Sequence, residues 1–291
     1  MEQHRPIPSF CGLSSTSLEG AKVIIVPLPV ENTTTYRKGT KDGPQAILFS
    51  SYNLELYDEE LEDIPAKIGV YTYPDLGLPI GDIYKTISKI EEFTYETLNL
   101  KKFPIFLGGE HTVTKGIVRG YINYFGQNFS ILHLDAHSDL KKEYEGTEYS
   151  HACALREAAE RLNLVQVGIR SLSYEEREFI DLNSINVLWD FQINGDKSLW
   201  INKVLESLKD KVYITLDFDV FNPSEMPAVG TPEPGGLLWY DIITLLKEVF
   251  KEKQILGIDL VELSPIPGFI PPDYLAAKLV YKVIGYCKKY Q

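Results

Sequence analysis

Ser130-Ile-Leu-His-Leu134 followed by Asp135-Ala-His137-Ser-Asp139 is an apolar run that ends in three metal-ligating side chains at every second position. A second stretch, Val212-Tyr-Ile-Thr-Leu216 followed by Asp217-Phe-Asp219, repeats the arrangement. Side chains two apart on a strand leave from one face. If both strand ends stay extended, the carboxylates and the imidazole can be aimed at one point, and two such ends form a metal site.

Short apolar runs of the same kind recur at 23–26, 68–71, 105–107, 164–167, 187–189 and 255–258. Most are separated by longer segments with helical periodicity, at 82–100, 112–124, 196–208, 240–250 and 272–290. This alternation predicts crossover units and a mainly parallel sheet of about eight strands. The near-continuous hydrophobicity of the runs predicts helices on both faces, hence an α/β fold built as a three-layer α/β/α sandwich. No linker, internal repeat or low-complexity tract divides the chain, so residues 1–291 are expected to form a single domain.

A formal net charge of -12 over 291 residues disfavours phosphate-backbone binding, so no nucleic-acid partner is expected. An acidic balance suits a cationic ligand, and it also simply keeps a protein soluble. Cys11, Cys153 and Cys287 form no CxxC pair and suggest neither a disulfide framework nor a thiolate zinc site. The start, Met1-Glu-Gln-His4-Arg, lacks the pattern of a secretion signal, and no apolar run approaches membrane-spanning length. A cytoplasmic protein without membrane contact is expected, with His4 uninvolved in chemistry.

In open α/β sheets ligands bind beyond the carboxyl ends of the strands, and the charged motifs fall there. Gly108-Gly-Glu-His111 follows 105–107, and Asp259 with Glu262 follows 255–258. Asp-x-Asp after a strand is also a common turn or cap, and Gly-Gly-Glu-His also suits a tight turn before a helix. Four Asp and two or three His at one sheet edge would nevertheless repel and be costly to desolvate unless cations sat among them. Mixed Asp and His without Cys suit borderline-hard divalent ions such as manganese and can bridge two of them. His133, one repeat deeper than Asp135, is expected to be a hydrogen-bonded core histidine. Cys153 is expected to pack.

Together with Ser150-His151, Asp217-Phe-Asp-Val-Phe-Asn-Pro223, Gly230-Thr-Pro-Glu-Pro-Gly-Gly236 and Asp259-Leu-Val-Glu262, these motifs resemble the signatures of the ureohydrolase family, which includes arginase and agmatinase. Tyr36-Arg-Lys-Gly-Thr-Lys-Asp-Gly-Pro-Gln-Ala-Ile47 resembles the family's N-terminal loop and helix. The resemblance implies an arginase-like fold, a homo-oligomer (trimer or hexamer) and two manganese ions per chain bridged by a hydroxide. The implied ligands are His111, Asp135, His137, Asp139, Asp217 and Asp219. Asp135 and Asp217 would bridge, His111 and Asp139 would complete one position, and His137 and Asp219 the other. Asp139 would also be the first proton acceptor, His151 the shuttle to the leaving amine, and Glu262 the anion that orients the substrate.

The implied reaction is hydrolysis of a small cationic guanidino substrate with release of urea. Arginases follow Asp-Ala-His-x-Asp with an Asn-Thr pair; here Leu140-Lys-Lys-Glu-Tyr-Glu-Gly-Thr-Glu-Tyr149 takes its place. Glu143, Glu145 and Glu148 favour a second cation over a carboxylate. The leading expectation is therefore an agmatinase, converting agmatine to putrescine and urea in polyamine biosynthesis. Aminopropylagmatine, guanidinobutyrate and arginine are the alternatives within the family. A single-zinc deacetylase-like hydrolase and a catalytically silent binding homologue are those outside it. Asn222 stands where many members carry Asp, and Ser264-Pro-Ile-Pro-Gly-Phe-Ile-Pro-Pro272 replaces an acidic, Thr-containing segment, expected to shape the mouth of the site. Glu233 is expected to steady its loop or support a ligand, and Glu110 to fix a ligating histidine.

Overall fold

The computed structural model describes residues 9–13, 16–79, 81–195 and 199–291. His4, the start of the chain and the first residues of the helix expected over 196–208 lie outside them.

Eight strands form one sheet: β1 (Val23–Leu28), β2 (Val70–Thr72), β3 (Phe103–Gly108), β4 (Ser130–Leu134), β5 (Asn163–Ile169), β6 (Asn186–Trp189), β7 (Lys211–Asp217) and β8 (Gln254–Val261). Their order is β2-β1-β3-β8-β7-β4-β5-β6, and every pairing is parallel. Each expected strand is present. Ile68 is the exception at a boundary: it closes a 3-10 turn, Pro65–Ile68, and β2 starts only after Gly69.

The helices of the described residues are α1 (Gly43–Ser51), α2 (Ile83–Asn99), α3 (Val113–Phe125), α4 (Arg156–Ala159), α5 (Tyr174–Asn183), α6 (Asp190–Gly195), α7 (Trp200–Ser207), α8 (Trp239–Glu252) and α9 (Pro271–Tyr290). Strand residues alternate between two cores. Leu132, Leu134, Ile214, Leu216 and Leu260 join residues of α1, α7, α8 and α9. Ile131, Tyr213, Phe106 and Leu256 join residues of α2, α3 and α5. Both faces are thus covered, which makes the three-layer sandwich. Among the described residues no helix is long and apolar enough to cross a membrane.

The chain builds β1 to β3 on one side, β4 to β6 on the other, and returns to insert β7 and β8 between β3 and β4. That reversal is a topological switch point, where crossovers diverge and leave a crevice beyond the strand ends. The four central strands β3-β8-β7-β4 are the ones that end in the charged motifs.

Candidate metal centre

Register sets the heights of the ligating groups. Leu134 pairs with Leu216, so Asp135 and Asp217 leave their strands at the same level. The chain does not stay extended beyond them. Asp135 Oδ1 accepts the His137 amide at 2.5 Å, and Asp217 Oδ1 accepts the Asp219 amide at 2.8 Å. Each first aspartate therefore folds its own following turn, and the second becomes the 3-10 turn Phe218–Val220. Asp139 sits at φ 52, a conformation that aspartate tolerates better than most residues. The turn reading of Asp-x-Asp holds through Asp217 Oδ1, while the other oxygen, Oδ2, faces His111 Nδ1 at 3.4 Å.

All six expected ligands converge. His111 Nδ1 lies 3.1 Å from Asp135 Oδ2, 3.0 Å from Asp139 Oδ2 and 3.4 Å from Asp217 Oδ2. His137 Nδ1 lies 2.9 Å from Asp219 Oδ2 and 3.6 Å from Asp135 Oδ1. Asp135 thus faces both imidazoles, one with each oxygen. His111 Nδ1 is buried and makes no properly directed hydrogen bond to any of its three carboxylates. A nitrogen aimed between oxygens rather than at one of them is what a shared cation requires.

Electrostatics point the same way. Burial pushes the Asp217 carboxyl well above its ordinary range, reinforced by Asp219 and Asp135, and Asp219 is raised by burial and Asp135. Burial would also raise Asp135, but the surrounding histidines outweigh it and hold it well below. Burial would lower His111, yet Asp135, Asp139 and Asp217 hold it well above the usual histidine value. His137, likewise depressed by burial but drawn up by Asp219 and Asp135, reaches about 12. The carboxylates cannot all ionise without positive charge among them, and oxygen and imidazole donors without thiolate suit a manganese-like ion.

Beneath the ligands a buried polar row crosses four strands in register: Gln166 of β5, His133 of β4, Thr215 of β7 and Asp259 of β8. Gln166 Nε2 donates to His133 Nδ1 at 2.9 Å, leaving His133 Nε2–H to donate to Asp135 Oδ2 at 2.7 Å. His111 Nε2 meets Thr215 Oγ1 at 2.9 Å, and that hydroxyl donates to Asp259 Oδ1 at 2.6 Å. With Thr215 committed as a donor to Asp259, His111 keeps a proton on Nε2, so Nδ1 is the nitrogen that would give up its proton to hold an ion in the cluster. His133 is the buried, bonded core histidine expected. Glu110 does not fix a histidine: its Oε2 accepts the amides of Asn32 and Thr33, tying that loop down. Gln166 and Thr215 were not singled out in the sequence, although a lone polar residue inside an apolar run was their signal.

A cavity of about 210 Å³ opens onto the cluster. His137, Asp139, Asp217, His151 and Glu262 line it near the ligands, with Lys141, Tyr144, Ser171, Ser173 and Glu176 among the other lining residues. Glu262, at φ 67, accepts the His111 amide through Oε1 at 2.7 Å. Burial pushes its carboxyl well above the ordinary range. His151 begins the 3-10 turn His151–Cys153, and its Nδ1 lies 3.2 Å from Thr33 Oγ1. Gly109 explains part of Gly108-Gly-Glu-His111: a Cβ there would lie 2.1 Å from the Val30 carbonyl oxygen.

Several side chains fall elsewhere than expected. Glu143, Glu145 and Glu148 are exposed and do not line the cavity. Besides Asp139, Asp217 and Glu262, the carboxylate lining the cavity is Glu176, whose pKa burial would raise but Ser138, Ser173 and Lys141 hold down. Residues 264–272 do not line it either; Ser264 Oγ donates to the Lys38 carbonyl. Glu233 Oε1 is 3.9 Å from His137 Nε2, too far for a hydrogen bond, while its carbonyl accepts from Arg170 at 3.2 Å. Arg170 also donates to the carbonyls of Asp219 and Phe221 and so ties the turn after β7 to the Glu233 loop. Asn222 Oδ1 accepts the Ser224 amide within its own turn. Cys153 is buried.

Residues 21–285 match the arginase family model. The N(1)-aminopropylagmatine ureohydrolase of Synechocystis is 38% identical over 282 residues, covering 93% of this chain and 90% of the relative. The agmatinase of Bacillus subtilis is 32% identical over 253 residues, 85% of each chain. The crystal structure of agmatine ureohydrolase of Thermoplasma volcanium superposes with a TM-score of 0.88 at 32% identity, covering 97% of this chain and 95% of that one.

Proposed function

Because this chain belongs to the arginase family and is a ureohydrolase, we propose that it hydrolyses the guanidino group of agmatine to putrescine and urea on a two-manganese centre. The observation that carries this reading is the convergence of four carboxylates, Asp135, Asp139, Asp217 and Asp219, on two imidazole nitrogens, His111 Nδ1 and His137 Nδ1, at a cleft that Glu262 and His151 also line. His111, Asp139, Asp135 and Asp217 would hold one ion, and His137, Asp219, Asp135 and Asp217 the other. Bound manganese would lower the pKa of water by many units and so supply a hydroxide nucleophile at neutral pH. All ligands hang on one sheet, so we read the whole chain as one catalytic unit.

The side chains divide the remaining work. A guanidinium carbon is a poor electrophile, so orientation matters. Glu262 has Oε1 engaged by the His111 amide, which leaves Oε2 to accept guanidinium hydrogen bonds. Asp139 takes the proton given up as water attacks. His151, its Nδ1 3.2 Å from Thr33 Oγ1, lines the cleft and relays a proton from solvent to the departing amine, without which the C–N bond does not break.

A second reading, aminopropylagmatine as the substrate, is favoured by the 38% identical relative of that name. Urea release from manganese-loaded enzyme across agmatine, aminopropylagmatine, 4-guanidinobutyrate and arginine tests both. Agmatine or its aminopropyl derivative should turn over at least about tenfold better than arginine, the discrimination expected of about 1.4 kcal/mol. A preference for arginine, or no urea from any of the four, would overturn the proposal.

A further inference from the structure

Among the residues lining the cleft there is one lysine and no arginine, and a cation is an odd neighbour for a cationic substrate. The Lys141 ammonium lies 3.2 Å from Glu176 Oε2 and 5.7 Å from the centroid of the Tyr144 ring. Both partners are fixed. Glu176 has a side chain only 4% exposed and also accepts from Ser138 Oγ at 2.6 Å, Leu140 N at 3.0 Å and Ser173 N at 2.7 Å. Tyr144 sits at the base of a two-residue hairpin, bonded to Thr147 in both directions at 2.9 and 3.1 Å. The central residues, Glu145 at φ 51 and Gly146 at φ 80, have the positive φ pair of a type I′ turn.

Lys141's own backbone is fixed as well, its amide donating to the Ala152 carbonyl at 3.1 Å. The movable component is the lysine side chain, 28% exposed. A buried carboxylate beside an aromatic face is a general recognition element for an ammonium group. Lysine brings an ammonium on four methylenes, as agmatine does beyond its guanidino group.

We propose that Lys141 is the internal occupant of an ammonium subsite formed by Glu176 and Tyr144, which the distal amine of the substrate takes over as the lysine swings towards solvent. Lys141 then sets how tightly the diamine end is held. This rests on the guanidino-diamine reading of the cleft. The opposite role, a lysine that reads an anionic end such as the carboxylate of 4-guanidinobutyrate, gives the opposite dependence on substitution.

The test is calorimetric titration of the manganese-loaded enzyme with putrescine, the diamine end alone, alongside KM for agmatine. In Lys141→Met the putrescine Kd and the KM for agmatine should both fall on the order of fivefold, the size of one part-exposed ion pair. Lys142→Met, at an exposed neighbour outside the cleft, should change neither. Adding Tyr144→Leu to Lys141→Met should remove the gain, and adding Tyr144→Phe should keep it. Unchanged or weaker putrescine binding in Lys141→Met, an equal gain in Lys142→Met, or no putrescine binding in either protein would overturn the subsite. Loss of 4-guanidinobutyrate binding without gain for putrescine would show that the lysine reads an anion. Absence of urea release from agmatine would overturn the functional reading instead, and the putrescine titration would still decide the subsite.

Discussion

At the scale of single residues, the ligand cluster depends on side chains that never touch it from the cleft. Thr215 does two things with one hydroxyl, accepting from His111 Nε2 and donating to Asp259. Asp259 is itself satisfied by Tyr213 at 2.5 Å and Thr114 at 3.2 Å, so the relay ends in a fully bonded buried carboxyl. Thr215→Val keeps the shape and removes the acceptor, leaving the His111 tautomer unfixed. Manganese retention should then weaken about 10- to 100-fold, as for other loss of outer partners of ligating histidines. Metal content after dialysis at graded free manganese measures it. Thr215→Ser should restore retention, and wild-type retention in Thr215→Val would refute the relay.

At the scale of elements, the two-residue hairpin between Tyr144 and Thr147 carries a local contradiction: Glu145 occupies a left-handed position that costs a non-glycine residue about 1 kcal/mol. Asparagine tolerates that conformation. Glu145→Asn should raise the thermal midpoint by about 1–3 °C, read by calorimetry, and a lower midpoint would mean that Glu145 makes a compensating contact. The same hairpin shows why the sequence was only partly legible. Buried parallel strands announce themselves as apolar runs, and all eight were readable from that pattern alone. The exit from a strand is set by turn chemistry rather than by the apolar pattern, and Asp135 and Asp217 bend their own chains. Helix α5 escaped periodicity because only Glu176, Phe179 and Ile180 of its ten residues are buried. Its capping box, Ser173-Tyr-Glu-Glu176, was the available signal for the helix start. The candidate ligand set was legible because its side chains still converge after the bend. Their supporting row was not, because it is a property of register between strands distant in sequence.

At the scale of the whole molecule, the sheet is closed off by a polar latch on the face opposite the ligand row. Lys282 of α9, its side chain 2% exposed, lies 2.8 Å from Asp58 Oδ1 and 3.0 Å from Glu60 Oε2. Glu60 also accepts from Lys247 of α8 at 2.8 Å and from Tyr286 of α9 at 3.0 Å. One carboxylate thus joins the last two helices to the segment between α1 and β2. Burial acts to raise the Glu60 pKa, but hydrogen bonds from Lys247, Lys282 and Tyr286 outweigh it and bring it down to about 2 from 4.5. A folded-state value below the unfolded one contributes stability that is fully present above about pH 4.5 and is lost as pH falls through about 2. A quarter of the Glu60 side chain is exposed, so solvent screening cuts the contribution to about 1–2 kcal/mol at pH 7. Glu60→Gln should therefore lower the free energy of unfolding by that amount at pH 7 and by about half as much near pH 3. Urea midpoints on metal-free protein measure the difference, since the ligand carboxylates titrate alike in both proteins and cancel. A wild-type-minus-variant difference that stays constant from pH 7 to pH 3 would show that the latch holds α9 by packing rather than by the charge on Glu60.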